Sequence, residues 1–198
     1  MTYRARGWTA DDGVSLIELL LVVALVVTTT VMAVPLTARA IDDSRVRSAA
    51  GFLAGRLRAA RQQAVAGNRS VALVFDRVGP RWVFRLCSDG NDNGVRRADI
   101  AGGHDVCIGT TQVSDLFPGT GFGLDHGLPA IDDPGGNEDG VRFGASDIAS
   151  CSPLGTCSPG TLYVRGARGP QYAVRVAGMT GRTRVLSYDT GRRQWVTP

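Results

Sequence analysis

Residues 16–34 read LIELLLVVALVVTTTVMAV, an apolar stretch broken only by Glu18 and by the threonines at 28–30. As an α-helix, a stretch of this length extends about 28 Å, close to the thickness of the hydrocarbon core of a bilayer. Arg4 and Arg6 precede it, and positive charge in that position holds the amino end of a membrane segment in the cytoplasm. The sequence therefore predicts a transmembrane helix, with the remainder of the chain on the opposite side of the membrane.

A cleaved secretory signal peptide is the alternative interpretation, with Ala38-Arg39-Ala40 as the cleavage site. The mature chain would then start at Ile41, and a secreted or anchored hydrolase would be the corresponding class of protein. The stretch is longer than the apolar region of about 7–15 residues found in signal peptides. Glu18 also lies inside its first turn, and Gly13 stands at the junction of polar and apolar sequence, where a membrane-surface peptidase would reach it. These features favour the membrane helix.

Glu18 constrains the function most. An ionised carboxylate in a lipid-facing helix costs about 2.5–3.5 kcal/mol on insertion scales, and less near the interface. Cleavage after Gly13 would give Val14 a free α-amino group four positions from Glu18. That cation would neutralise the carboxylate within one subunit or on a neighbour, because unpaired buried charges are unfavourable. We therefore expect Glu18 and the amine of Val14 to set the register of a helical assembly.

The stretch Gly13-Val14-Ser15-Leu16-Ile17-Glu18 resembles the leader junction of type IV pilins and type II secretion pseudopilins. The family pattern is Gly, Phe, Ser or Thr, Leu, Ile or Leu, and Glu, so Val14 stands where Phe is usual. The resemblance implies that a prepilin peptidase in the inner membrane cuts after Gly13 and methylates the new amino terminus. Pro35 fits the helix-interior proline of many family members, and it is expected to kink or locally melt the helix.

A second helical pattern follows the apolar stretch and ends at the stop signal Gly67-Asn68. Its apolar residues recur at spacings of three and four, which predicts a stripe that packs against a sheet. The stripe consists of Val46, Ala50, Leu53, Leu57, Ala60 and Ala64. Arginines lie mostly off this stripe, and we expect them to form a solvated basic face.

Strand patterns bounded by Gly or Pro follow the helix and predict a mainly antiparallel sheet. They are a hairpin at 70–75 and 82–86, then segments at 141–143, 160–164, 172–176 and 181–185. The entry to the hairpin, 60–65, and the carboxyl-terminal third resemble the GspH/FimT group of minor pilins and pseudopilins.

The predicted fold is accordingly α+β and pilin-like, with a long N-terminal helix packed on an antiparallel sheet. It comprises a leader peptide at 1–13, a transmembrane helix at 14–35, an amphipathic continuation at 36–67 and a periplasmic head at 68–198.

The cysteines all lie after the apolar stretch, at positions 87, 107, 151 and 157, and their spacings match no Cys-x-x-Cys metal pattern. An even number of cysteines beyond a membrane segment indicates disulfides in an oxidising compartment. We predict the pairs Cys87–Cys107 and Cys151–Cys157 because each closes a local loop, although the sequence alone allows three connectivities.

Asp89, Asn91 and Asn93 place oxygen ligands at alternate positions before Gly94, as in the opening of a calcium loop. The twelfth position is Ile100, where such loops carry Glu, so a plain exposed turn is favoured over a calcium site. No other cofactor is expected. Neither histidine has a nucleophile at a recognised spacing, and we predict no catalytic site.

The stretch Gly181-Arg182-Thr183-Arg184 is similar to the GRxR element of DNA-binding members of the FimT group. That similarity implies phosphate contact by Arg182 and Arg184 during DNA uptake. Nearby arginines, at 165, 168, 175, 192 and 193, would enlarge the basic surface. A glycine turn followed by a strand with solvent-facing arginines is the favoured interpretation.

These features together predict a structural protein, not an enzyme: a minor pseudopilin of a type II secretion system, in the tip or initiation complex of the pseudopilus. Its expected location is the bacterial inner membrane, as a single-pass protein with a periplasmic head. The expected partners are other pseudopilins or minor pilins and the prepilin peptidase. The alternative is a type IV minor pilin of the FimT kind that binds DNA in natural transformation.

Overall fold

The computed structural model describes residues 14–131 and 139–198, except for the side chains of Met32, Pro35 and Leu36. The chain divides into two compact units, Met1–Arg39 and Ala40–Pro198, whose boundary lies within the first helix. Gly13 and the rest of the predicted leader lie outside the described residues.

The elements follow one another along the chain as α1 (Leu16–Gly67), β1 (Val71–Val78), β2 (Arg81–Ser88), α2 (Arg97–Ala101), β3 (Val106–Gln112), α3 (Val113–Leu116), β4 (Thr120–Phe122), β5 (Val141–Arg142), β6 (Ile148–Cys151), β7 (Gly160–Gly166), β8 (Gln171–Ala177), β9 (Arg182–Asp189) and β10 (Gln194–Val196). The α+β class and the packing of the helix on antiparallel strands are confirmed.

The described part of the first unit is the amino-terminal half of α1. From Leu16 to Val27, every Leu, Ile and Val side chain is at least half exposed. The hydroxyls of Thr28, Thr29 and Thr30 all donate to carbonyls one turn earlier, including Thr30 Oγ1 to Val26 O at 2.7 Å. The polarity of the threonines is therefore satisfied inside the helix itself.

Within the described part of the chain, no helix is both long enough and apolar enough to span a membrane.

The second unit is built around the carboxyl-terminal half of α1. All six residues of the predicted stripe are at most 3% exposed, together with Ala49 and Ala54. They pack against apolar residues of both sheets in one cluster. The helix ends at Gly67, and Asn68 follows with a φ of 47°, a left-handed conformation that Asn tolerates. The stripe and the stop signal are confirmed.

The strands form two antiparallel sheets, where the sequence pattern predicted one. Sheet A has the order β3-β2-β1-β6, and sheet B has the order β10-β9-β8-β7-β4, with β5 also paired to β7. The predicted hairpin is β1–β2, and the predicted carboxyl-terminal segments are β5, β7, β8 and β9. The strand patterns missed β3 and β6, which pair with β2 and β1 respectively. Both edges of the hairpin are therefore hydrogen-bonded to other strands, and sheet B forms separately.

Each sheet is also covered on the face turned away from α1. On sheet A, Ala72 and Val74 pack with Val95 and with the partly buried Ile100 from the segment after β2. On sheet B, Tyr163 packs with Leu124 and Ala130 from the segment after β4, alongside other apolar residues. The hydroxyl of Tyr163 accepts a hydrogen bond from Ile131 N at 2.7 Å. These outer coverings explain why β1 and β7 carry nearly continuous apolar runs.

Asp76 anchors the covering of sheet A. Arg85 and Arg97 each approach its carboxylate at 2.7 Å, and Arg97 also donates to the carbonyls of Phe75 and Ser146. Burial raises the pKa of Asp76, but hydrogen bonds and charge from the two arginines outweigh it, so the pKa lies below its ordinary value. Arg97, the first residue of α2, thereby joins that helix to β1.

Both predicted disulfides are present. Cys87 and Cys107 are cross-strand partners on β2 and β3, and Cys151 and Cys157 close a short loop after β6. Both predicted pairings are therefore confirmed.

Asp42 holds α1 against the turn between β7 and β8. It is 2% exposed, and its Oδ2 accepts a hydrogen bond from Arg168 N at 2.7 Å. A Cβ at Gly166 would lie 2.7 Å from the same oxygen, so only glycine allows this approach. The next residue of α1 makes a second link, because the hydroxyl of Tyr172 donates to Asp43 Oδ1 at 3.1 Å.

We expect Asp42→Ala to lower the free energy of unfolding of the full chain by about 1–3 kcal/mol, since it removes the buried carboxylate that accepts the hydrogen bond from the Arg168 amide. Denaturant unfolding followed by tryptophan fluorescence measures this. Ser44→Ala, at an exposed position on the same helix, is the matched control and should change little. Equal effects of the two substitutions would contradict the role given to Asp42.

Candidate functional site

The predicted processing and assembly residues lie at the start of α1. Val14 and Ser15 precede the helix, and Ser15 O accepts the first backbone hydrogen bond, from Leu19 N at 3.1 Å. Glu18 is in the first turn. Ser15 and Glu18 therefore have the spacing of a capping box, a signal that the sequence analysis missed. The backbone remains helical through Pro35, so the local melting expected there is not observed.

A cluster of arginines lies on the outer face of sheet B, beyond the part covered by residues 124–131. Arg175 on β8 is the cross-strand partner of Arg184 on β9, and Thr161 on β7 is the partner of both Arg175 and Arg142. Strand alternation puts paired residues on the same face. Arg142, Arg175, Arg182 and Arg184 line one open pocket of about 760 Å³. We call it the arginine pocket.

The stretch Gly181–Arg184 alternates between the two faces of sheet B. Gly181 has a φ of 61°, and Thr183 is 9% exposed, whereas Arg182 and Arg184 are exposed. The carbonyl of Thr183 accepts a hydrogen bond from Arg58 Nη2 of α1 at 3.3 Å. The inner residues of this stretch therefore fit against the helix, and the outer two present their guanidinium groups to the pocket.

The remaining walls of the arginine pocket are apolar or small, and Pro159, Val176 and Ala177 are among them. The guanidinium of Arg142 lies 5.4 Å from the centroid of the Tyr163 ring, which holds it by a cation–π contact. None of the described lining residues is acidic. A pocket with four guanidinium groups and these walls is suited to bind phosphate or carboxylate groups.

Other arginines that the sequence grouped with this surface lie elsewhere. Arg165 lines a different pocket and approaches Asp125 at 3.5 Å, and Arg192 lies 3.7 Å from Asp189. Arg142 was not predicted as part of the surface. Only the pairing of β5 with β7 brings Arg142 to this surface, and the sequence does not reveal that pairing because β6, a strand of sheet A, lies between the two strands in the chain.

The segment predicted as a calcium loop or a plain turn closes over sheet A. Asp89, 3% exposed, accepts hydrogen bonds from the amides of Asn91 and Gly94. Asp105, 4% exposed, accepts from the amides of Gly90 and Arg96. The two carboxylates organise the loop backbone, and Asn91 and Asn93 are exposed. Among the residues the structure describes, no three His, Cys, Asp or Glu side chains are grouped to hold a metal ion.

Comparison of the chain with protein families, with curated proteins and with solved structures gave no match.

Proposed function

We propose that this chain is a pilin-like assembly subunit anchored in the bacterial inner membrane, acting as a minor pseudopilin in type II protein secretion. The observation that carries the proposal is the exposure of large apolar side chains along the whole run from Leu16 to Val27, and not a membrane span, for which no described helix qualifies. Exposed apolar surface on this scale marks a membrane or a protein partner. Lipid would cover it before assembly, and equivalent helices of neighbouring subunits would cover it afterwards.

The energetics of Glu18 support an assembly role. A carboxylate in the first turn gains about 0.3–1 kcal/mol from the helix N-terminus, whereas its insertion into lipid costs about 2.5–3.5 kcal/mol. The capping position therefore leaves roughly 2 kcal/mol to be offset by another group. Cleavage after Gly13 would create a free amine at Val14, which is then methylated. This amine would be a cation four positions along the chain from Glu18.

The second unit supplies the head in this proposal. Its two disulfides suit an oxidising periplasm. Its two sheets pack on α1, while the segments over their outer faces would provide surface for neighbouring subunits.

We expect Glu18→Ala to reduce incorporation of the chain into pseudopili by about tenfold or more. The amine of Val14 would lose its partner, and a loss of 1.4 kcal/mol corresponds to a factor of ten. Cross-linking to the other pseudopilins in the membrane fraction measures incorporation. Thr28→Ala is the matched control, since the Thr28 hydroxyl bonds only within its own helix among the described residues. Incorporation of Glu18→Ala at the level of the control, with equal amounts in the membrane, would contradict the proposal.

The arginine pocket favours a second candidate function, that of a type IV minor pilin that binds DNA. It brings Arg182 and Arg184 together with Arg142 and Arg175 on one face of sheet B. Phosphate contacts by such groups release counterions, which makes the affinity fall as salt rises. Within the described residues, no ion pair occupies Arg182 or Arg184.

For the DNA-binding candidate, Arg182→Ala with Arg184→Ala should weaken binding to a labelled DNA duplex. The slope of log affinity against log salt should fall by about one for each phosphate contact removed. Fluorescence anisotropy across a salt series measures both quantities. Arg168→Ala with Arg192→Ala removes the same charge outside the pocket and should leave the slope nearly unchanged. Equal effects of the two double variants, or no binding by the unchanged chain, would remove this candidate.

A further inference from the structure

A contact between three elements lies on the helix side of sheet B, beneath the arginine pocket. Arg61 of α1 donates its Nε hydrogen to the carbonyl of Gly155, in the Cys151–Cys157 loop, at 2.8 Å. A Cβ at Gly181 would lie 2.5 Å from the same Nε and 2.6 Å from Gly155 O. The Arg61 side chain therefore packs directly against the backbone at which β9 and its two outward arginines begin.

The same loop is bonded to a wall of the pocket. Cys157 N donates to the carbonyl of Gly178 at 2.8 Å. A Cβ at Gly178 would lie 3.1 Å from Pro159 Cδ, so Gly178 and Pro159 are in close contact, and both residues line the arginine pocket. Movement of the loop held by Arg61 would consequently displace the pocket wall as well as the start of β9.

We propose that Arg61 is a positioning residue of the arginine pocket, which orients Arg182 and Arg184 through the backbone of Gly181 without touching the bound anion. The inference rests on the phosphate-binding candidate function proposed above. Arg61 is on the helix side of sheet B, whereas the arginines that it orients are on the outer side. Its own charge would act on the anion only at a distance and would be screened by salt.

A positioning role can be distinguished by experiment from two other roles of Arg61, which are to stabilise the fold and to add positive charge. If Arg61 only stabilised the fold, a substitution would lower the unfolding midpoint and leave the affinity of the folded protein unchanged. If it only added positive charge, lysine would replace it fully. Positioning requires the planar guanidinium, because a lysine ammonium on a longer flexible stem does not reproduce the packed Nε contact between Gly155 and Gly181.

The test uses the full chain in detergent and a labelled DNA duplex over a salt series. We expect Arg61→Lys to weaken binding roughly 3- to 10-fold with an unchanged salt slope, as for a residue coupled to the site without contacting the ligand. Arg182→Ala, by contrast, should reduce the slope by about one. Arg56→Lys is the matched control, because Arg56 lies on the same helix, 5.8 Å from the Phe52 ring centroid, and should leave the affinity unchanged.

Wild-type affinity for folded Arg61→Lys would overturn the positioning role while leaving the DNA-binding candidate intact. A fall in the salt slope for Arg61→Lys would overturn it too, since that result would place Arg61 in contact with phosphate. No binding by the unchanged chain would overturn both proposals. If Arg61→Lys does not fold, Arg61→Met is measured in the same way: it keeps a straight side chain but removes the donor to Gly155 O, and wild-type affinity for it would overturn the inference.

Discussion

The buried alanines in and beside the stripe on the carboxyl-terminal half of α1 are the constraint on which the second unit depends. Ala49, Ala50, Ala54, Ala60 and Ala64 are all fully buried, and none has a side chain beyond Cβ. Two sheets can therefore approach one helix closely and share a single core. A larger residue at any of these positions would force a sheet away or force its side chains off their rotamers, which commonly costs about 1–3 kcal/mol.

Polar groups at the edges of that stripe determine where the strands begin and turn. Asp42 accepts the amide at the β7–β8 turn, Arg58 donates to the carbonyl of Thr183, and Arg61 donates to the carbonyl of Gly155. Each partner is a backbone group, so these bonds fix the path of the chain rather than the identity of the facing side chain. One consequence is that the helix that forms the core also supports the backbone beneath the arginine pocket.

The sequence predicted the features that depend on local patterns. The helical stripe, its end at Gly67, the first hairpin and the two disulfides all follow from spacing over a few residues or from closing a short loop. The division into two sheets was missed because β6 pairs with β1 across a large sequence separation and lies in Gly- and Ser-containing sequence with little strand character. Arg142 was missed for a similar reason, since only the register between β5 and β7 brings it to Arg175.

The role of a charged residue is easier to predict from sequence at the amino terminus than in the second unit. At the amino terminus, one carboxylate in an apolar run is informative from sequence because its environment is defined by its neighbours. In the second unit, acids and arginines are abundant, and their roles depend on which face they occupy. Asp89 was interpreted as a calcium ligand or a turn residue, yet it is buried and accepts hydrogen bonds from backbone amides. Asp105, which the sequence analysis did not single out, is buried and bonded in the same way.

In the function we propose, a cut that creates a cation prepares the apolar helix, with its one carboxylate, for assembly. Mass spectrometry of the mature chain, purified from the membrane fraction of its native host, is the decisive measurement. We expect a chain that begins at a methylated Val14. A mature chain that begins at Ile41, or one that keeps residues 1–13, would contradict it.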